Sequence, residues 1–259
     1  MNIGFIVMGN MAQALVKGWS ENAQINTIFA AAKHYDKLCL RAESLGICAE
    51  ENVKDVVRKS DWIVIAVKPD VVEDVIGELD LNKPILSVAA GWNCEKYVSV
   101  LGEGARVQCI MPNLACEFGE GISLFEEENT LNAEEHKIAA ALFESCGRVE
   151  TLPASKINAA MAISGCGPAF AAMAMEALAD AGVKYDIPRA TAYRLAAQTL
   201  IGAGEMQMNS DSVPAQIKDR VCSPGGSTIR GVEALEAHGF RGALFAAVNA
   251  VADFYQKKA

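Results

Sequence analysis

The chain has 259 residues, enough for one or two domains with a real core. Its net charge of −9 comes with no basic cluster able to track a phosphate backbone, which sets nucleic acid aside as a partner. Eight cysteines without a C-x-x-C pair, and three histidines remote from them, set aside a metal site and read as the reduced thiols of a cytoplasmic protein.

The N-terminus runs directly into a strand pattern, without the basic region and cleavage motif of a secretory signal. Asn2–Val7, NIGFIV, is a short apolar run of the kind found in a buried parallel strand. Met8-Gly9-Asn10-Met11-Ala12 follows, then a helix over Ala12–Trp19. Strand, glycine turn and helix make the dinucleotide-binding arrangement, with the pyrophosphate on the helix N-terminus. Gly9 admits the backbone close to that group, and Ala12 stands where a small residue allows close helix–strand packing. Val7 occupies the place of the first fingerprint glycine. Valine is costly at φ > 0, so either the turn keeps to β space or cofactor affinity suffers. The plain alternative is a βα turn that binds nothing.

Thr27–Ala32 reads as the second strand. A NAD enzyme usually carries an acid at its end, about 20 residues after the fingerprint. Here Ala32-Lys33-His34-Tyr35 offers a cation instead, which tilts the site toward the 2′-phosphate of NADP; an exposed surface lysine is the bland reading. Helices over Asp36–Ser44 and Val53–Lys59 lead to the strand Asp61–Val67. The pattern repeats as helix Val71–Leu79, strand Pro84–Ala90, helix Cys94–Leu101 and strand Arg106–Met111. Such alternation implies right-handed crossovers and a parallel sheet. Three strand ends carry turn residues: Val67-Lys68-Pro69, Ala89-Ala90-Gly91 and Met111-Pro112-Asn113. Ligands of open α/β sheets bind beyond those ends. Gly119–Phe125 reads as a further strand, Asn132–Ser145 as a helix and Gly147–Leu152 as a last strand.

After Pro153 only helices are expected. Lys156–Ile163 and Ala169–Ala181 flank Ser164-Gly165-Cys166-Gly167-Pro168, where the proline kinks one helix or starts another. The longest uncharged run, Ile157–Met175, contains Gly165, Gly167 and Pro168 and falls short of a clean span of about 20 residues, so it reads as helix inside a dimer rather than in lipid. Pro188–Met208 and Val213–Arg220 are helical. Ser223-Pro224-Gly225-Gly226 cannot continue a helix, and Ser227-Thr228 opens the next, Thr228–Ala237. Free N–H groups and a positive helix end then converge where a small carboxylate would fit; the plain alternative is a helix–helix turn with an N-cap. Arg241–Gln256 is the final helix. Helices apolar on several faces need partners, which implies a subunit interface, the alternative being a self-contained monomeric bundle.

The combination resembles the pyrroline-5-carboxylate reductase family over essentially the whole chain. The matching segments are IGFIVMGNMAQAL (Ile3–Leu15), AVKP (Ala66–Pro69), AAG (Ala89–Gly91), MPN (Met111–Asn113), SGCGPAF (Ser164–Phe170) and KDRVCSPGGSTI (Lys218–Ile229). The resemblance implies an α/β chain: an N-terminal Rossmann-like, mostly parallel sheet domain over 1–152, then an all-helical dimerisation and substrate domain over 153–259. It implies reduction of 1-pyrroline-5-carboxylate to L-proline with NADPH, NADH being the alternative cofactor. It implies a homodimer, which in the family also builds decamers. Carried over, Gly9, Asn10 and Met11 fall on the pyrophosphate turn. Val67, Lys68, Pro69, Ala90, Gly91, Met111 and Asn113 fall along the rest of the cofactor crevice. Gly225, Gly226, Ser227 and Thr228 form the substrate loop, with Thr228 facing the ring nitrogen, and Asp211 stands where a neighbouring subunit contributes an acid. Three departures stand out: Val7, Leu114-Ala115 in place of Thr-Pro, and Cys166 in place of a small hydroxyl residue.

His34, His136 and His238 lie outside these segments, so none is a candidate general acid. Relatives acting on 3-hydroxy acids carry a catalytic lysine on the helix after their glycine-rich segment; Ala169–Met175 has none. The remaining alternative is a nucleotide-binding homologue that has lost turnover through Val7.

Overall fold

The computed structural model describes residues 1–77 and 82–256. The chain separates into two compact units, Met1–Gly165 joined by the stretch from Phe254, and Cys166–Asp253.

The first unit is built on one sheet. Its strands are β1 (Asn2–Ile6), β2 (Thr27–Ala31), β3 (Cys48–Ala49), β4 (Trp62–Ile65), β5 (Ile85–Ser87), β6 (Val107–Met111), β7 (Gly121–Glu126) and β8 (Gly147–Leu152). They lie in the order β3-β2-β1-β4-β5-β6-β7-β8. Every pairing is parallel except β6 with β7. The exception follows from chain length. Residues 112–120 hold only a short 3-10 turn, Leu114–Phe118, too little for the crossover a parallel return needs. The strand β3 has two residues and no apolar run, and sequence reasoning missed it.

The helices are α1 (Asn10–Gly18), α2 (Tyr35–Leu45), α3 (Val53–Lys59), α4 (Val72–Gly77), α5 (Cys94–Leu101), α6 (Ala133–Glu144) and α7 (Ala154–Ser164). Glu78 and Leu79, expected to extend α4, lie outside the described residues. The apolar strands read as continuous because both faces are covered. Phe5, Val64, Leu86 and Ile110 point into one core with Leu15, Trp19 and Phe143 from α1 and α6. Their neighbours Ile6, Ile65, Ile85 and Cys109 point into the other, with Ile76 and Tyr97 from α4 and α5. Each such large apolar side chain contributes roughly 1.5–3 kcal/mol when fully buried. Gly4 lets α3 approach β1: a Cβ there would lie 2.4 Å from Ser60 Oγ and 2.6 Å from Val56 Cγ1.

The second unit is helical: α8 (Gly167–Lys184), α9 (Arg189–Met208), α10 (Pro214–Val221), α11 (Ser227–Ala237) and, as far as Asp253, α12 (Phe240–Gln256). Pro168 lies in the first turn of α8, so it starts a new helix and does not kink an old one. The stretch Ala154–Lys184, with an 18-residue window of mean hydropathy 1.3, is long and apolar enough to cross a membrane by length and composition, although Gly165 and Cys166 break it into two helices. The helices α8 and α9 pack through a small core of Ala179, Ala192 and Ala196, bordered by Val183 and Ile187. Among the described residues α11 and α12 contain no buried side chain. Met173, Leu195, Ile201 and Phe245 are all more than half exposed in the single chain. All eight cysteines are free thiols.

Candidate functional site

The sheet register aligns Ile6, Ile65, Ser87 and Cys109 across β1, β4, β5 and β6. At that level β1, β4 and β5 end and the chain turns, whereas β6 runs two residues further, to Met111. That crest carries Gly9, Asn10 and Met11 after β1, Val67, Lys68 and Pro69 after β4, Ala90 and Gly91 after β5, and Met111 and Asn113 at β6. Ten residues expected from sequence to bind the cofactor are thus brought to one edge. The order of strands reverses between β1 and β4, where β1 has β2 on its other side, and this switch is where open sheets bind ligands.

Gly9 is the N-cap of α1, with φ −80° and ψ −173° and no side-chain cap. A Cβ on Gly9 would meet nothing within 4 Å, so the backbone faces open space. Uncapped N–H groups under an open approach fit a pyrophosphate. Val67 is buried, whereas Lys68 is exposed and caps the 3-10 turn Pro69–Val71. The Pro69 carbonyl accepts from Trp92 Nε1 at 2.9 Å, and Lys96 Nζ donates to the Gly91 carbonyl at 2.9 Å. Gly91 has φ +77°, which its lack of a Cβ permits. Asn113 is occupied by the protein itself. Its Nδ2 donates to the Ser164 carbonyl at 2.9 Å, and its Oδ1 accepts from Ile122 N at 3.3 Å.

Val7 has φ +72°. The turn therefore does not keep to β space, and valine adopts the conformation of the glycine it replaces. Holding a non-glycine residue there costs on the order of 1–3 kcal/mol. The bonds on either side are Val7 N to the Ala31 carbonyl, 2.9 Å, and Arg41 Nη1 to the Met8 carbonyl, 2.8 Å. A hydrogen bond from a charged donor contributes about 1.5–3 kcal/mol, the same size as the strain. Sequence reasoning missed Arg41, which lies in α2, 33 residues from its acceptor and in no motif.

Below the crest, Ala89, Trp92, Met111 and Glu126 border a cavity of about 20 Å³, room for one water. Glu126 ends β7, is buried, and accepts from Cys94 N at 3.3 Å at the start of α5. Burial raises its carboxyl above the ordinary range, against the lowering effect of the Cys94 N–H. It too was missed, although an acid closing the apolar run ISLF was the available signal.

In the second unit, Gly225 has φ +71° and Gly226, φ −72° and ψ −179°, is the N-cap of α11. Ser227 and Thr228 are the first two residues of that helix, exposed, and neither hydroxyl caps it. These four residues make one turn. Asp211 is exposed in a different turn, between α9 and α10.

The sheet, the switch point and the open glycine turn define a Rossmann-type dinucleotide-binding unit. Two family models match: "NADP oxidoreductase coenzyme F420-dependent" over residues 2–91, and "Pyrroline-5-carboxylate reductase dimerisation" over residues 154–258. A pyrroline-5-carboxylate reductase from Treponema pallidum is 41% identical, covering 96% of this chain and 98% of that one. Pyrroline-5-carboxylate reductase 3 of Danio rerio is 37% identical over 98% of this chain and 90% of its own. The crystal structure of Plasmodium falciparum pyrroline carboxylate reductase with NADP bound superposes with a TM-score of 0.87, at 30% identity, covering 98% of this chain and 96% of that one. The chain belongs to the pyrroline-5-carboxylate reductase family.

Proposed function

We propose that the protein reduces 1-pyrroline-5-carboxylate to L-proline with NADPH, the last step of proline biosynthesis, as a cytoplasmic homodimer that engages no membrane, a decamer of such dimers being the alternative assembly. The observation that carries this reading is identity of 41% with a reductase of that name over nearly both full lengths. The open glycine turn and the exposed cations Lys33 and Lys68 at the same edge of the sheet suit a cofactor with three phosphates. In the proposal residues 1–152 bind the dinucleotide and residues 153–259 supply the dimer and the substrate loop.

When bound, the reduced nicotinamide supplies a hydride for the imine carbon. The work left to the chain is binding and alignment. Gly9, Asn10 and Met11 offer backbone N–H groups to the pyrophosphate. Val67, Lys68, Pro69, Ala90, Gly91, Met111 and Asn113 shape the remaining crevice. The backbone of Gly225, Gly226 and Ser227 at the start of α11 holds the substrate carboxylate, with Asp211 contributed from the neighbouring subunit. Thr228 donates to or accepts from the ring nitrogen, and the proton comes from solvent.

The test is cofactor oxidation with pyrroline-5-carboxylate, comparing NADPH with NADH. Turnover with NADPH preferred is the expected result. A stable dimer that binds neither cofactor would identify a homologue silenced at Val7 and end the proposal.

A further inference from the structure

We propose that Arg41 is a positioning residue for the cofactor: it holds the turn after β1 in the left-handed conformation that Val7 resists. The proposal deepens the dinucleotide reading and rests on it. Among the described residues only Val7 and Asp186 have positive φ without being glycine. Aspartate visits that region through local hydrogen bonding, but a β-branched side chain does not. The conformation of Val7 must be imposed by its surroundings. The bond from Val7 N to the Ala31 carbonyl fixes only the entry to the turn, as an extension of the β1–β2 ladder. The Met8 side chain is buried and anchors the next residue. What orients the peptide between Met8 and Gly9 is the guanidinium of Arg41, donating to the Met8 carbonyl from α2. That peptide leads directly into the N-terminus of α1. Without the guanidinium, Val7 relaxes toward negative φ and the cradle of N–H groups turns away from the phosphates.

The signature is coupling between two residues. A bond that merely staples α2 to the turn would be worth the same whatever stands at position 7. A guanidinium that grips the 2′-phosphate would matter for NADPH and not for NADH. Dissociation constants for both cofactors are measured by fluorescence titration on the full chain and on R41A, R41K, V7G and V7G/R41A, with thermal midpoints alongside. R41A is expected to weaken both cofactors about tenfold, the equivalent of one charge-assisted bond. In the V7G background the same change is expected to cost less than about twofold, because glycine needs no restraint. R41K is expected to fall between, since it keeps a donor but loses the planar fork. kcat at saturating cofactor is expected to hold. Equal losses in both backgrounds, or a loss confined to NADPH, would overturn the proposal. If the parent chain binds neither cofactor, the dinucleotide reading fails by itself. The restraint is then read from the thermal midpoints: R41A must lower the midpoint less in the V7G background, and equal shifts would refute it.

Discussion

Gly9 and Thr228 are the single residues whose replacement separates chemistry from folding. Gly9 has an ordinary φ, and a Cβ there meets no atom. Gly9→Ala should therefore leave the thermal midpoint unchanged or raise it slightly, as substitutions at unstrained glycines do. The new methyl would nevertheless stand where a pyrophosphate approaches, and the KM for NADPH should rise at least about tenfold, roughly one charge-assisted bond. Steady-state kinetics beside a melting curve checks both halves. Thr228 is exposed and caps nothing, so Thr228→Ala should also melt normally. If it bonds the ring nitrogen as proposed, its removal should lower kcat/KM for the imine by about 10²-fold, the size of one hydrogen bond to a charged group. An unchanged kcat/KM would remove that role. Val7 was legible as a departure from the fingerprint; its solution was not. Arg41 offers no motif, and only tertiary packing brings its guanidinium to the Met8 carbonyl.

The elements divide the same way. Helices α3 and α5 and strand β8 begin and end where apolar period and breakers predict. The strands β4 and β5 are shorter than their apolar runs, because Val67, Ala89 and Ala90 leave the ladder to form the crest. Apolarity marks burial, and at a strand end burial outlasts pairing. The antiparallel β7 was recoverable from the short 112–120 connection. The exposed cap of α11 was not, since a serine and threonine beside a glycine turn look like capping residues until the backbone shows them one step inside the helix. Glu126 ties β7 to α5 and carries a pH signature. Its folded-state pKa lies above the unfolded value, so its stabilising effect is complete at acid pH and is lost as pH rises through the raised value. Glu126→Gln should thus be more stable than the parent at pH 8. The difference should close as the pH falls below 4.5, the ordinary value for the group. Urea midpoints across that range test it; a gap independent of pH would show that the carboxyl's charge is not the cause.

On the scale of the molecule, the order of motifs, from glycine turn to proline-glycine loop, was enough to indicate both the layered N-terminal unit and the helical C-terminal one. What could not be read from sequence is which apolar helix faces stay uncovered in one chain. Phe245 is 72% exposed and Met173 70%. Chains belonging to a family with a dimerisation model over residues 154–258 cover such faces with another copy. Phe245→Asp should shift the protein toward monomer in light scattering at micromolar concentration, and unchanged mass would exclude that face from the interface.

The absence of any fully buried side chain among the described residues of α11 and α12 has a consequence for handling as well as for assembly. Two helices with no fully buried side chain among the described residues gain little from packing within one chain. Their integrity is then governed by mass action. Progressive dilution should lower the melting temperature and erode helical circular dichroism first in the last third of the chain, while the sheet signal survives.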